Sequence, residues 1–477
     1  MKKYILLFTV AATGLFLTRC AENNEPKDEQ TEEYAEAVED NPDDLCIETP
    51  SWFPHSQTPP PAEGKGSPFD VSSTTNQIFH QWSYNKFLWL TKPDNNGNPL
   101  FLDQSQVKQV TAYMVPVTPP AGTLVQLTDI NQAGSGSPIL KTNADYGGTS
   151  EIVYYSIHMN DLMYTNGKTY ASQIHNGQLP TTNETTFPVG SFEMKVAWVP
   201  VAAIPAAKQS MYYTTTSSLS TDGGKTFSNV EVALIGMHVV GVVENHPEFI
   251  WATFEHNDLS PDYDWAANSA GSTEDQLLFK KGSVTGIDGI KYNTSTKLGK
   301  TPYQVFDLFQ YGVPRDAGGA FMSTSQSEPV NFNNIQGINV CVQEHLDDVW
   351  KNYFYNGSIW LNMDGKTPQE QAELINSLGY NIGAATPGSS ARGSLNCANV
   401  TMESFMQTFQ SDISSINAGN LANCFSCHTG ESFSSGTSPL YLSHTFQDYL
   451  QNLDKSVDKV EQLKAAHEEK VLKLMRK

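Results

Sequence analysis

Ser191-Phe-Glu-Met-Lys-Val-Ala-Trp-Val-Pro200 decides the architecture of the larger part of this chain. Phe192, Met194, Val196 and Trp198 alternate with Glu193 and Lys195, so the apolar side chains fall on one side of an extended segment and the charges on the other. Upstream, Gly122 to Ile130 and Glu151 to Ile157 are shorter runs of similar kind, and downstream Asn229 to Val243 and Phe249 to Phe254 are apolar and rich in β-branched residues. The Gly, Ser, Thr and Asn stretches between them read as hairpins and surface loops. No period repeats along the chain, which argues against a propeller.

Helices are expected around this β-rich body. Asn76 to Leu90 carries Ile78, Trp82, Tyr84, Phe87, Leu88 and Trp89, too aromatic all round for a surface helix. Cys341 to Phe354 sets Val342, Leu346, Val349, Trp350 and Tyr353 at helical spacing, and Thr367 to Leu378 opens with Thr-Pro-Gln-Glu, a helix start. Asn399 to Ser414 aligns Met402, Phe405, Met406, Phe409 and Ile413 along one stripe, and from Thr445 to the C-terminus the pattern is a long charged helix.

Chemistry enters at Cys424-Phe-Ser-Cys427-His428, a C-x-x-C-H pattern. Two thiols three positions apart can add to the two vinyl groups of a haem, and the adjacent imidazole then reaches the iron as proximal ligand. One covalent haem c held by Cys424, Cys427 and His428 is the expected cofactor. The competing readings are a redox disulfide, which wants a buried strand before the pair where Leu421-Ala422-Asn423 stands, and a zinc site completed by Cys341 and His345.

The N-terminus places that chemistry outside the cytoplasm. Met1-Lys2-Lys3 is basic, Tyr4 to Leu17 is an apolar run of fourteen residues, too short for a comfortable membrane span, and Cys20 follows. Leu17-Thr18-Arg19-Cys20 resembles a lipoprotein signal in which Cys20 becomes the lipidated first residue, with Arg19 standing where a small residue is usual. Residues 1–19 are therefore read as an export signal. Between Ala21 and Asp44 stand eleven carboxylates against Lys27 alone, and Pro54, Pro59-Pro60-Pro61 and Gly64-Lys65-Gly66 follow. Such a segment repels itself and has little to bury, so 20–66 reads as a disordered tether with a reach on the order of 40 Å. The expected location is extracytoplasmic, lipid-anchored at the outer membrane of a Gram-negative bacterium.

The net charge of −22 excludes nucleic acid as a main partner, since the only basic cluster is the final Lys470 to Lys477. An acidic electron carrier instead suits a basic redox partner. No nucleophile elbow, His-Glu-x-x-His helix, phosphate loop or dinucleotide fingerprint occurs.

Gln81-Trp-Ser-Tyr-Asn-Lys-Phe-Leu-Trp-Leu90, Gly236-Met-His-Val-Val240 with Phe249 to His256, Tyr355-Asn-Gly-Ser-Ile-Trp360, and Leu395 to Phe405 leading to Asn423-Cys-Phe-Ser-Cys-His428 together resemble exported cytochrome c family proteins with a β-rich N-terminal region and a single C-terminal haem site. The resemblance spans most of the folded region, and only its last motif is specific for chemistry. It implies haem binding and electron transfer and supplies no substrate. The expected class is α+β, with a β-rich domain and flanking helices over 67–395 and a small helical, cytochrome c-like haem region over 396–477.

The second axial ligand is left open. His444 is the nearest downstream imidazole, Met402 and Met406 precede the motif, Met475 lies in the terminal helix, and a ligand from the β-rich region or an open position complete the choices. Met would raise the potential relative to His, and an open position would admit small molecules. Of the remaining cysteines, Cys341 and Cys397 are the preferred disulfide pair over Cys46. His238 reads as a core histidine, while His246 and His256 with Asp258 are candidates for a metal or acid/base cluster. Three functions follow: a tethered electron-transfer protein, a haem-linked oxidoreductase with a substrate site in the β-rich region, and a surface ligand-binding lipoprotein with a structural or sensory haem.

Overall fold

The computed structural model describes residues 61–71, 74–130, 140–259, 274–279, 281, 331–378, 390–394, 399–402 and 423–474. All of them belong to one compact unit spanning Asn41–Lys477. The export signal, Cys20, Cys46, Cys397, Met406, Met475 and the tether up to residue 60 lie outside the described residues.

Among the described residues the chain forms strands β1 (Val107–Val110), β2 (Val125–Leu127), β3 (Tyr154–Asn160), β4 (Phe192–Pro200), β5 (Thr214–Leu219), β6 (Ser228–Val243), β7 (His246–His256), β8 (Tyr353–Leu361) and β9 (Ala391–Gly393). They join in one sheet of order β1-β3-β4-β6-β7-β8-β9, with β5 paired to β6 and β2 to β5. Only the β2–β5 pairing is parallel. The α-helices are α1 (Asn76–Thr91), α2 (Asp161–His175), α3 (Asn331–His345), α4 (Pro368–Ser377), α5 (Cys424–Cys427), α6 (His444–Asp454) and α7 (Val457–Leu474). The fold is α+β, built on a large antiparallel sheet.

Alternation along β4 sorts the two faces. Phe192, Met194, Val196 and Trp198 enter a cluster with Tyr84, Phe87 and Leu88 of α1, Ile338 and Val342 of α3, and Phe254 of β7. The register shift between Ala197 and Trp198 leaves Ile235 as an extra residue on β6, so Leu234 and Met237, three apart, both face that core. The other face is also covered. There Met159, Val240, Trp251 and Ile359 pack against Met163 and Ile174 of α2, Ile375 of α4, Phe425 of α5, and Phe446 and Leu450 of α6. Glu193, whose charge suggests a solvated face, is therefore buried. The C-x-x-C-H segment shares this sheet-face core with α2 and α4.

Several expected elements shift. The helix expected over Cys341 to Phe354 ends at His345; a 3₁₀ turn spans Val349–Asn352 and Tyr353 begins β8. Trp350 and Tyr353 are buried from this turn and strand, so helical spacing there was a coincidence of two elements. The C-terminal helix is two helices broken at Lys455–Ser456. Helix α2, with Asn160 accepting the Met163 N–H as its cap, was not anticipated. Of Gly122 to Ile130 only Val125–Leu127 is strand. Folded structure begins earlier than the tether boundary: Glu63 pairs with Lys86 at 2.8 Å and its carbonyl accepts the Glu244 N–H at 2.7 Å. No described helix is long and apolar enough to cross a membrane.

Candidate haem site

The motif folds as a single helical turn. The His428 N–H closes it on the Cys424 carbonyl at 2.7 Å, and the Asn423 N–H donates to Ser426 Oγ at 3.0 Å. Phe425, 2% exposed, anchors the turn in the core against Trp251, with ring centroids 6.3 Å apart. Cys424 and Cys427 are left half-buried as thiols, with no disulfide between them.

His428 Nδ1 stands 2.8 Å from the carbonyl oxygen of Leu442. A carbonyl only accepts, so Nδ1 carries the proton and Nε2 of the neutral ring keeps its lone pair. This is how metal-bound histidines are usually oriented, with the second nitrogen tied to a fixed acceptor. Leu442 closes the 3₁₀ turn Pro439–Leu442 that leads into α6. On its flank His428 meets the indole of Trp251 at 4.2 Å, and that indole is pinned by its N–H to the Glu248 carbonyl at 2.9 Å. Strand β7 thus carries the ring against which the motif packs.

Two further imidazoles gather at the same turn. His444 stacks on His428 with centroids 4.0 Å apart and planes inclined 24°. His444 Nε2 donates to the Cys427 carbonyl at 3.1 Å, and His467 Nε2 approaches the same oxygen at 3.2 Å. The rings of His444 and His467 are nearly perpendicular, and Phe433 packs on both at 5.1 and 5.0 Å. Desolvation of its ring, then the neighbouring His428, His467 and Lys464, hold the His444 pKa well below the ordinary histidine range, although part of the residue reaches solvent.

Histidine 467 was not singled out in the sequence. Its signal lies in α7, where the buried Val460 and His467 stand seven residues apart on one stripe of an otherwise charged helix. Lys464 to Asp448, 2.8 Å, holds this helix on α6, and Tyr113 donates to Glu461 at 2.6 Å.

The other candidates lie elsewhere. Met402 is fully buried in a separate cluster with Tyr155, Ile235, Leu259 and Val400. Cys341 is disulfide-bonded, so its thiolate is not available to complete a zinc site. His246 and His256 sit at opposite ends of β7 and do not meet in one cluster. His246 Nδ1 lies 2.9 Å from Glu248 Oε1 among Phe69 and Phe79. His256 donates to the Met211 carbonyl at 3.0 Å, accepts the Asp258 N–H at 3.1 Å and stacks on Tyr212 at 3.6 Å. Burial lowers its pKa to about 4, and both ring nitrogens are satisfied, which marks a structural histidine. Asp258 is engaged by Tyr146 at 2.7 Å and Lys208 at 3.1 Å.

Among the described residues no three His, Cys, Asp or Glu side chains are arranged to hold a bare metal ion. Covalent haem asks for less: two accessible thiols one turn apart and an imidazole of fixed tautomer beside them. Cys424, Cys427 and His428 fit that donor set. Comparison of the chain with known protein families, curated proteins and solved structures finds no match.

Proposed function

We propose that this protein is an extracytoplasmic monohaem c-type cytochrome that transfers electrons, tethered to the outer membrane through a lipid on Cys20. The observation that supports the reading is the His428 to Leu442 hydrogen bond, which fixes the ring tautomer so that Nε2 would be the nitrogen offered to an iron directly after the thiols of Cys424 and Cys427. In this reading the segment from 423 onward serves as a small helical, cytochrome c-like haem region. The haem would supply one-electron chemistry, and the chain's own part is to hold it: Cys424 and Cys427 by thioethers, His428 as proximal ligand, Trp251 and Phe425 as apolar walls. The acidic surface suits a basic redox partner and disfavours nucleic acid. The test is production of the mature chain in a bacterium with c-haem maturation machinery. Haem absorbance that stays with the denatured polypeptide supports the reading; a colourless chain refutes it.

A second reading, a haem-linked oxidoreductase, draws on the sheet face beneath the motif. Lys195, His238, Thr253 and Gly357 pair across β4, β6, β7 and β8, one row along from Glu193, Val240, Trp251 and Ile359. Lys195 and His238 are half-buried, so titratable groups lie on the same face as the Trp251 ring that packs on His428. Slower reduction of the bound haem by a small organic donor in His238→Ala, with reduction by a chemical reductant unchanged, would select this reading over the first.

A further inference from the structure

We infer that Glu193 is a redox-linked proton site: it acts through Ser443 and the Leu442 carbonyl on His428, so that its carboxyl takes up a proton when the iron is reduced and releases it on oxidation. The inference rests on the haem reading above, and it makes Glu193 a positioning residue that works through its neighbours.

Two routes lead from the carboxyl to the imidazole. Along the chain, Ser443 donates to Glu193 Oε2 at 2.9 Å, and the preceding carbonyl, Leu442, accepts the His428 Nδ1 proton at 2.8 Å. Ser443 Oγ also accepts the Phe446 N–H at 3.1 Å, so the peptide that orients His428 is anchored where the carboxyl bonds. Across the sheet, Glu193 pairs with Val240, and Val240 with Trp251, whose indole packs on His428 at 4.2 Å. Two strand spacings, about 10 Å, separate Glu193 from Trp251. Glu193 is buried, so its charge acts over that separation with little screening.

The neighbouring charges single out this carboxyl. The titratable groups around it are Lys195 on its own strand, His238 opposite Lys195 on β6, Asp448 on α6, Lys464 and Glu461 on α7, and His428 and His444 at the motif. Asp448 is also buried with a raised pKa, but it carries its own counter-charge, Lys464 at 2.8 Å. Glu193 bonds to a neutral hydroxyl instead, and burial lifts its pKa to about 7 against the partial opposition of Ser443 and Lys195. A carboxyl poised near neutrality is the group most readily tipped by one unit of charge. One electron arriving from the redox partner lowers the charge at the iron by one, and one proton from solvent binding to Glu193 restores the balance. The sign follows: ionised Glu193 favours the oxidised state, so the midpoint potential falls as pH rises through the neutral range.

The experiment uses the full chain matured with haem, as wild type, Glu193→Gln and Asp448→Asn. Covalent haem is read on the denatured protein, the midpoint potential is followed on both sides of neutral pH, and proton uptake on reduction is measured with a pH indicator in weak buffer. The wild-type potential should fall with rising pH, with proton uptake in the same range. Glu193→Gln should lose both and keep the potential of the wild type's acid limb, because its amide is uncharged like the protonated acid; Asp448→Asn should keep both. A change of stability in Glu193→Gln without loss of the pH dependence would mark a structural residue and overturn the inference. So would a pH dependence lost in Asp448→Asn and kept in Glu193→Gln. Proton uptake by the wild type serves if the variants fail to accumulate: a flat potential with no proton taken up near neutrality overturns the inference by itself, while covalent haem stays intact. A wild type without covalent haem would refute the underlying reading at the first step.

Discussion

The 2.8 Å contact between His428 Nδ1 and the Leu442 carbonyl joins the C-x-x-C-H turn to the entry of α6. It makes the tautomer of His428 a property of the fold, because the acceptor is a backbone atom of a turn capped by Ser438 and continued by Ser443.

From that contact comes the expectation that thiols and imidazole fail in different ways. Cys424→Ser with Cys427→Ser should leave no haem on the denatured chain. His428→Ala should retain thioether-linked haem at reduced yield and lose the low-spin spectrum. Haem staining after denaturing electrophoresis, paired with native visible spectra, separates the two; normal covalent haem in the double cysteine variant would sink the assignment.

Glu193 gives the chain a pH-dependent stability. Burial pushes its pKa from the ordinary 4.5 up to about 7, partly opposed by the Ser443 hydroxyl and Lys195. Between those values the folded protein keeps a proton that the unfolded chain has released, so stability falls as pH rises through about 4.5 to 7 and levels off above. The full effect is on the order of 3 kcal/mol at about 1.4 kcal/mol per pKa unit. Glu193→Gln should remove it: urea midpoints of variant and wild type should converge near pH 4 and separate at pH 8, the variant being more stable. Parallel shifts at both pH values would show that Glu193 does not titrate in this window.

The legible parts of the fold were those with one strong period. β4 and β6 matched their apolar runs to within a residue, and α4 its Thr-Pro-Gln-Glu start, where Thr367 and Glu370 form the reciprocal capping box. Where two elements abut, periodicity misleads: Leu346, Val349, Trp350 and Tyr353 read as one helical stripe although they come from a helix end, a 3₁₀ turn and a strand. At the site, the local motif was readable and its surroundings were not. Trp251 reaches His428 from β7, far away in sequence, and His467 was hidden because a lone imidazole among lysines and glutamates looks solvated until the helix has a neighbour.

The cap on α4 makes a smaller, separable prediction. Thr367 Oγ1 accepts the Glu370 N–H at 3.3 Å, and Glu370 Oε2 accepts the Thr367 N–H at 2.8 Å. Thr367→Ala should cost about 1 kcal/mol. Thr367→Ser should cost much less, and equal losses for the two in chemical denaturation would mean that the hydroxyl is not the cap.

The ion pair between Lys86 and Glu63 tests how the N-terminal end of the folded body is held. Lys86 Nζ is 2.8 Å from Glu63 Oε1, with side chains 3% and 13% exposed, and the same oxygen accepts the Trp82 indole N–H at 2.9 Å. The ammonium also lies over the rings of Trp89 at 4.9 Å and Phe192 at 4.7 Å, so it sits in an aromatic box in which, among the described residues, Glu63 is the carboxylate it pairs with. Removing one partner strands the other charge away from water, which costs about 3–5 kcal/mol, whereas removing both spares that penalty. Glu63→Gln and Lys86→Met should each lower the thermal midpoint clearly, and the double variant should be less destabilised than the sum of the two. Additive losses in that cycle would show that the two residues stabilise the fold independently, through packing and not through their charges.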